Sequence, residues 1–187
     1  MVSWKGAVVV LALLAAGVVY AIATRPGPQP AIHIKSLLPC NSLTVLSIKI
    51  DYASGAVFLA DRPDLAAAWT VRQPVSGPAE ANAISVLEQS LDAVEAQNTI
   101  QNPGPPAQYG LDAPRETVTC RVANGTSYTL SIGGESFDKA GYYARKSGGG
   151  EVYVISSVQV DEFDRVLNEP PVEQSPLPAG PSPAPTH

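Results

Sequence analysis

Apolar and polar positions alternate differently in successive stretches of the chain, and those changes divide it. Residues 6–24, GAVVVLALLAAGVVYAIAT, carry no charge and are almost wholly apolar. At ~1.5 Å per residue, a helix of that length spans just under the ~30 Å hydrocarbon core of a bilayer. The stretch is read as a retained anchor or uncleaved signal. The rival is a cleaved secretory signal. Ala21-Ile22-Ala23 matches its small-x-small site, but its apolar region usually runs only about 7–15 residues. Residues 1–5 are a short head, and 25–42 a linker opening on the stiff spacer RPGPQP.

Residues 43–167 read as the folded domain. Leu46, Ile48, Ile50 and Tyr52 alternate with Ser47, Lys49 and Asp51, the period of a half-buried strand. A turn at 53–55, a returning strand at 57–60 and a third strand at 69–72 follow. Ser76-Gly77-Pro78 reads as a helix start. Ile84, Leu87, Leu91 and Val94 recur at helical spacing, which predicts a helix of about 16–18 residues with Glu80, Glu88, Asp92 and Glu95 solvated. After the proline- and glycine-rich stretch 101–114, Val118, Cys120 and Val122 open a second series of strands. Asn124-Gly125 marks a hairpin, Gly133-Gly134 a strand break, and 141–146 with 151–155 another hairpin. Ser156 or Ser157 caps a last helix with Val158, Phe163, Val166 and Leu167 inward.

The halves look alike. Ile48 and Val118 are 70 residues apart, as are Ile50 and Cys120. The fold expected is therefore α+β: a single domain of two similar β-hairpin/strand-then-helix units, with an N-terminal transmembrane helix. Residues 168–187 hold seven prolines and are expected to be disordered. As a proline-rich ligand for a partner the tail is the weaker reading.

Charge narrows the functions. From Pro26 onward the chain has ten basic and 17 acidic residues, a net of −7, which disfavours nucleic acid. Two cysteines and two histidines, far apart in sequence, do not make a zinc site. Cys120 points to a core, where free cysteine acts as a small hydrophobe. A Cys40–Cys120 disulfide is allowed only outside the cytoplasm and is the minor reading. No cofactor is expected. The glycine runs at 133–134 and 148–150 lack the lysine and serine of a phosphate loop. Asp61 and Asp64 read as solvated loop acids, and Asp161, Glu162 and Asp164 as acids favoured by the positive end of the last helix. His33 lies in the linker, and no catalytic triad is legible around it.

Aromatic residues carry the remaining signal. Trp69, Tyr109, Tyr142, Tyr143 and Tyr153 are the residues a protein partner would meet. Each also has a structural reading. Trp69 fits a core. Gly110 fits a turn needing an unusual backbone angle, with Asp112 bonding a nearby N–H. Adjacent Tyr142 and Tyr143 must face opposite sides of their strand.

The order WTVRQP (69–74), a helix with Leu87 and Leu91, YGLDAP (109–114), LSIG (130–133), GYYAR (141–145) and VYVI (152–155) resembles the bacterial domain-of-unknown-function 4340 family over residues 43–167. The resemblance implies an N-terminal membrane segment. Because some members are encoded beside gliding-type or other ABC transporter components, it also implies an accessory role in a membrane complex. It brings no catalytic residues.

The function expected is that of a non-catalytic, membrane-anchored accessory subunit or assembly module, acting by protein–protein contact. It would be anchored in the bacterial inner membrane through residues 6–24, with its domain on the extracytoplasmic, periplasmic side, against a membrane-protein partner. The alternatives are an envelope hydrolase and a soluble secreted binding protein released by signal cleavage.

Overall fold

The computed structural model describes residues 36–173. The expected anchor at 6–24, most of the linker and the tail beyond residue 173 lie outside the described residues. Among the described residues no helix is long and apolar enough to cross a membrane.

Nine strands form one sheet: β1 (Val45–Tyr52), β2 (Val57–Asp61), β3 (Thr70–Gln73), β4 (Gly77–Pro78), β5 (Asn98–Ile100), β6 (Glu116–Val122), β7 (Ser127–Glu135), β8 (Gly141–Lys146) and β9 (Val152–Ser156). Their order is β4-β3-β2-β1-β6-β7-β8-β9-β5, and every neighbouring pair is antiparallel. Among the described residues two α-helices, α1 (Ala81–Asp92) and α2 (Ser157–Asn168), complete it.

This corrects the expected α+β domain of two hairpin-then-helix units. The 70-residue offset does not mark separate units, because the residues that carry it are neighbours. Ile48 lies opposite Cys120 and Ile50 opposite Val118 in the β1–β6 ladder. The strands of both halves therefore share one large sheet, and the helices only cover it.

Alternation decides the two faces. Ile48, Ile50, Phe58, Val71, Val118, Cys120, Leu130 and Ile132 are buried on one face, under Ile84, Leu87 and Leu91 of α1 and Val160 and Phe163 of α2. The other face carries Lys49, Asp51, Thr117, Thr119, Thr129, Ser131 and Arg145, none of them buried. One dry and one polar face is the usual state of an antiparallel sheet. A register shift between Val45 and Ser47 takes Val45, rather than Leu46, into the core.

Several local expectations change. Gly77–Pro78 extends the sheet rather than starting α1, and the Glu80 carboxylate caps that helix by accepting from Asn82 N–H (3.1 Å) and Ala83 N–H (2.6 Å). The helix has 12 residues, and Glu88 on it is buried rather than solvated. In α2, capped by Ser156 as expected, Val160 replaces Val158 on the inner face; Val158 is exposed. The tail does not begin at 168, because Val172 bridges Ala79 and Pro171 accepts from Glu80 N–H. That segment covers the β4 edge of the sheet.

Cys40 and Cys120 are bonded, with Cα atoms 6.4 Å apart, against the reading of Cys120 as a free core thiol. Both are fully buried, so the hydrophobic placement holds while the chemistry differs. The disulfide ties the segment entering the domain to a central strand.

Candidate functional site

Three places bring chemistry-bearing side chains together. The first surrounds Trp69, which is 7 % exposed and lies under the Arg62 guanidinium, 4.8 Å from its ring. Arg62 donates to Val45 O (3.0 and 2.8 Å) and Ser42 O (2.7 Å) and meets Glu88 at 3.3 Å. Burial pushes the Glu88 carboxyl up, with Arg62 opposing. Arg62 spends its donors on backbone carbonyls, so this cluster fastens β2, the chain before β1, and α1 together.

The second lies on the polar side of β7–β8. The bend after β7 presents Phe137, 98 % exposed. Six hydrogen bonds fix that bend. Ser136 N–H donates to Gly141 O (2.7 Å), and Lys139 N–H to Ser136 O (2.9 Å). The Ser136 hydroxyl accepts from Gly141 N–H (3.1 Å) and donates to Asp138 (2.7 Å), and Asp138 also accepts from Ala140 N–H (3.2 Å). Phe137 N–H donates to Tyr143 Oη (3.2 Å). The Ser136 hydroxyl and Ala140 N–H hold the Asp138 carboxyl below its ordinary range.

Tyr143 meets Tyr109 edge-on, ring centroids 5.0 Å apart. Tyr109 ends a 3-10 turn, Pro106–Tyr109, closed by Gly110 N–H to Ala107 O and Leu111 N–H to Pro106 O. Gly110 has φ +67°, and a Cβ there would stand 2.7 Å from Gly134 N; a Cβ at Gly133 would stand 2.2 Å from Tyr109 O. Only glycine permits this approach. Asp112 is exposed. A shallow hollow of about 200 Å³ beside Phe137 is floored by Ile100, Tyr143 and Val154.

The third place escaped sequence reading. Glu116 begins β6, opposite Tyr52 on β1 and Ile132 on β7, so its side chain points under α2. It is 1 % exposed, and neither carboxyl oxygen has a hydrogen-bond partner among the described residues. Arg115 Nε stands 3.9 Å away, too far for a hydrogen bond. Its guanidinium is held instead by Asp164 of α2 at 2.5 Å and lies 4.7 Å from the Tyr142 ring. Burial, then Asp164, push the Glu116 carboxyl up to about 8, with Arg115 opposing. Tyr52 donates its hydroxyl to Phe163 O (2.5 Å), and its phenol is pushed well above the ordinary range by burial, then by Glu116 and Asp164.

An open groove of about 470 Å³ runs beside these groups, lined by Tyr52, Arg115, Gly133, Gly134, Glu135, Tyr142 and Asp164. Glu135 reaches it because β7 carries one extra residue between Ile132 and Glu135, which brings Glu135 opposite Tyr142.

A family model described as Domain of unknown function (DUF4340) matches residues 69–169. The chain belongs to the DUF4340 family. The match opens at Trp69 and closes just past α2, so in this DUF4340 domain Arg115, Glu116, Phe137, Tyr142 and Asp164 lie inside it, while β1, β2 and Cys40 lie outside. No curated protein and no solved structure matches the chain.

The five aromatic residues singled out in the sequence are not one surface. Trp69 is core. Tyr153 is 6 % exposed and donates to Glu151, and burial, then Glu151, raise its phenol to about 12. Tyr142 faces α2 in the groove, Tyr143 the opposite side with Tyr109. Phe137 was passed over because nothing in DKAG marks a bend that displays its neighbour. Glu116 was passed over because a lone glutamate ahead of a strand looks solvated. The one available signal was its place two residues before Val118, in phase with the core positions.

Proposed function

We propose that this DUF4340 protein is a membrane-anchored, non-catalytic accessory subunit of a larger membrane complex, working by protein–protein contact on the extracytoplasmic side. The observation that supports this most is Phe137. The backbone that carries this 98 % exposed aromatic is fixed by six hydrogen bonds, so covering the ring costs the freedom of one side chain and not the ordering of a loop. An aromatic of that size, once covered, is the kind of residue that dominates interface energies. The apolar stretch 6–24 supports the membrane setting, where tethering near a partner lowers the intrinsic affinity required.

The test is extraction of the full chain from its native membranes in mild detergent, followed by native electrophoresis and mass spectrometry of the band. A stoichiometric membrane-protein partner is expected. Phe137→Ser should weaken its retention at least tenfold while a photo-crosslinker at position 137 captures the same partner. Migration as a lone monomer, or retention unchanged by Phe137→Ser, defeats the proposal.

A further inference from the structure

We propose that the groove between α2 and the β6–β7 end of the sheet binds a guanidinium or ammonium group, with Glu116 and Asp164 as its carboxylate partners and Tyr52 and Tyr142 as its aromatic walls. The inference goes beyond the Phe137 surface and does not depend on it.

Four observations carry it. Glu116 is the only described carboxylate with both oxygens buried and unpartnered. Buried polar groups are nearly always hydrogen-bonded, and an orphan in a native fold calls for a missing donor. Second, an open volume of about 470 Å³ lies alongside, rather than solid packing. Third, the groups facing it have a sign. Asp164 on α2 and Glu135 on β7 line it and outnumber Arg115, Tyr52 on β1 and Tyr142 on β8 are neutral, and Glu116 on β6 stands 3.9 Å from the Nε of that arginine. An anionic ligand meets two carboxylates, a cationic one finds partners. Fourth, the wall already holds such a group, since the Arg115 guanidinium lies 4.7 Å from the Tyr142 ring.

Arg115 is a place-holder. Its side chain is one-third exposed, it pairs with Asp164, and it stops 3.9 Å short of Glu116. A guest cation that takes Asp164 and reaches Glu116 satisfies the orphan, and Arg115 turns to solvent. Glu116 must lose its proton to accept the guest. Because burial holds that proton up to about pH 8, binding is coupled to proton release and tightens as pH rises.

The probes are spermidine and the peptide acetyl-Gly-Arg-Gly-amide. Each is titrated calorimetrically into the detergent-solubilised full chain at pH 6 and 8, in two buffers of different ionisation enthalpy. Binding should tighten at least fivefold from pH 6 to 8, with proton release. Glu116→Gln should remove the proton release and weaken binding at pH 8 at least tenfold. Asp164→Asn should weaken it at both pH values. Melting curves confirm that each variant is folded. Binding of spermidine alone assigns the site to a small polyamine; binding of the peptide alone assigns it to a partner's side chain. Binding of neither probe, or binding untouched by Glu116→Gln, overturns the proposal.

Discussion

Replacing Glu116 by glutamine removes a titrating carboxyl and keeps its shape, so it isolates one term in the pH dependence of stability. The unfolded chain holds this carboxyl near its ordinary value of 4.5, and the folded domain raises it to about 8. Between those values the folded state binds more protons than the unfolded one, so its stability falls as pH rises. The contribution of the neutral carboxyl is fully present below pH 4.5 and is lost through pH 8. Each pH unit in that window is worth about 1.4 kcal/mol, which sets a ceiling of about 5 kcal/mol. Local relaxation and water entry reduce such penalties, so about 2 kcal/mol or more is the working expectation.

The full chain in detergent, unfolded by heat and by urea at pH 5 and pH 8, gives the comparison. The parent and Glu116→Gln should match at pH 5. At pH 8 the glutamine variant should be the more stable, with a melting temperature higher by roughly 5 °C. Every other ionisable group is common to both chains, so the difference between variants cancels it. Equal melting temperatures at both pH values would mean that Glu116 is ionised and satisfied in the folded state, and the account of the groove would be wrong.

Other consequences follow from the same geometry. Cys40 and Cys120 close a separation of 80 residues, so replacing both by alanine should cost about 2–4 kcal/mol, read by denaturation, and native material should show no thiol reactive with Ellman's reagent in denaturant. Gly133→Ala places a Cβ 2.2 Å from Tyr109 O and should destabilise the domain by about 2 kcal/mol or more, whereas Gly149→Ala, whose Cβ comes no nearer than 3.3 Å, should stay within about 0.5 kcal/mol. Phe163→Ala empties a fully buried site between α2 and the sheet and should cost about 3–5 kcal/mol.

Much of the sheet was legible because its signal is periodic. Val118, Cys120 and Val122 announce a strand by alternation alone, and Asn124-Gly125 fixes the hairpin that follows. Where a residue is added or a strand is very short, periodicity carries no information. β5 has three residues and β4 two, both too few to alternate. How strands from the two halves pair is a long-range fact, so a repeat of 70 residues was read as two units when it marks two neighbours in one sheet. The groove failed for a related reason. Read straight through Gly133-Gly134, alternation from Ile132 puts Glu135 on the polar face. The extra residue in β7 reverses that and puts it opposite Tyr142. Glu116 and Asp164 lie 48 residues apart and meet only because α2 returns across the end of β6.

That extra residue also joins the two proposed surfaces. Gly133 and Gly134 line the groove, and the same glycines receive the 3-10 turn whose Tyr109 packs on Tyr143. Three residues beyond Gly134, Phe137 donates its backbone N–H to Tyr143 Oη, which holds the bend that carries the exposed ring. A single hairpin, β7–β8, therefore carries the groove on its α2 side and Phe137 at its end. A bulged strand bends and twists more than a regular one, so the angle at which Phe137 is displayed depends on the bulge that brings Glu135 into the groove. A Cβ at Gly133 or Gly110 would stand 2.2 or 2.7 Å from the facing backbone, so a side chain at either position would push the 3-10 turn off the hairpin. β7 and β8 are each paired on both sides within the sheet, so both surfaces rest on the same ladder. A partner covering Phe137 then meets a hairpin whose orientation was set when the sheet folded, which is the condition under which one exposed aromatic can contribute its full contact area.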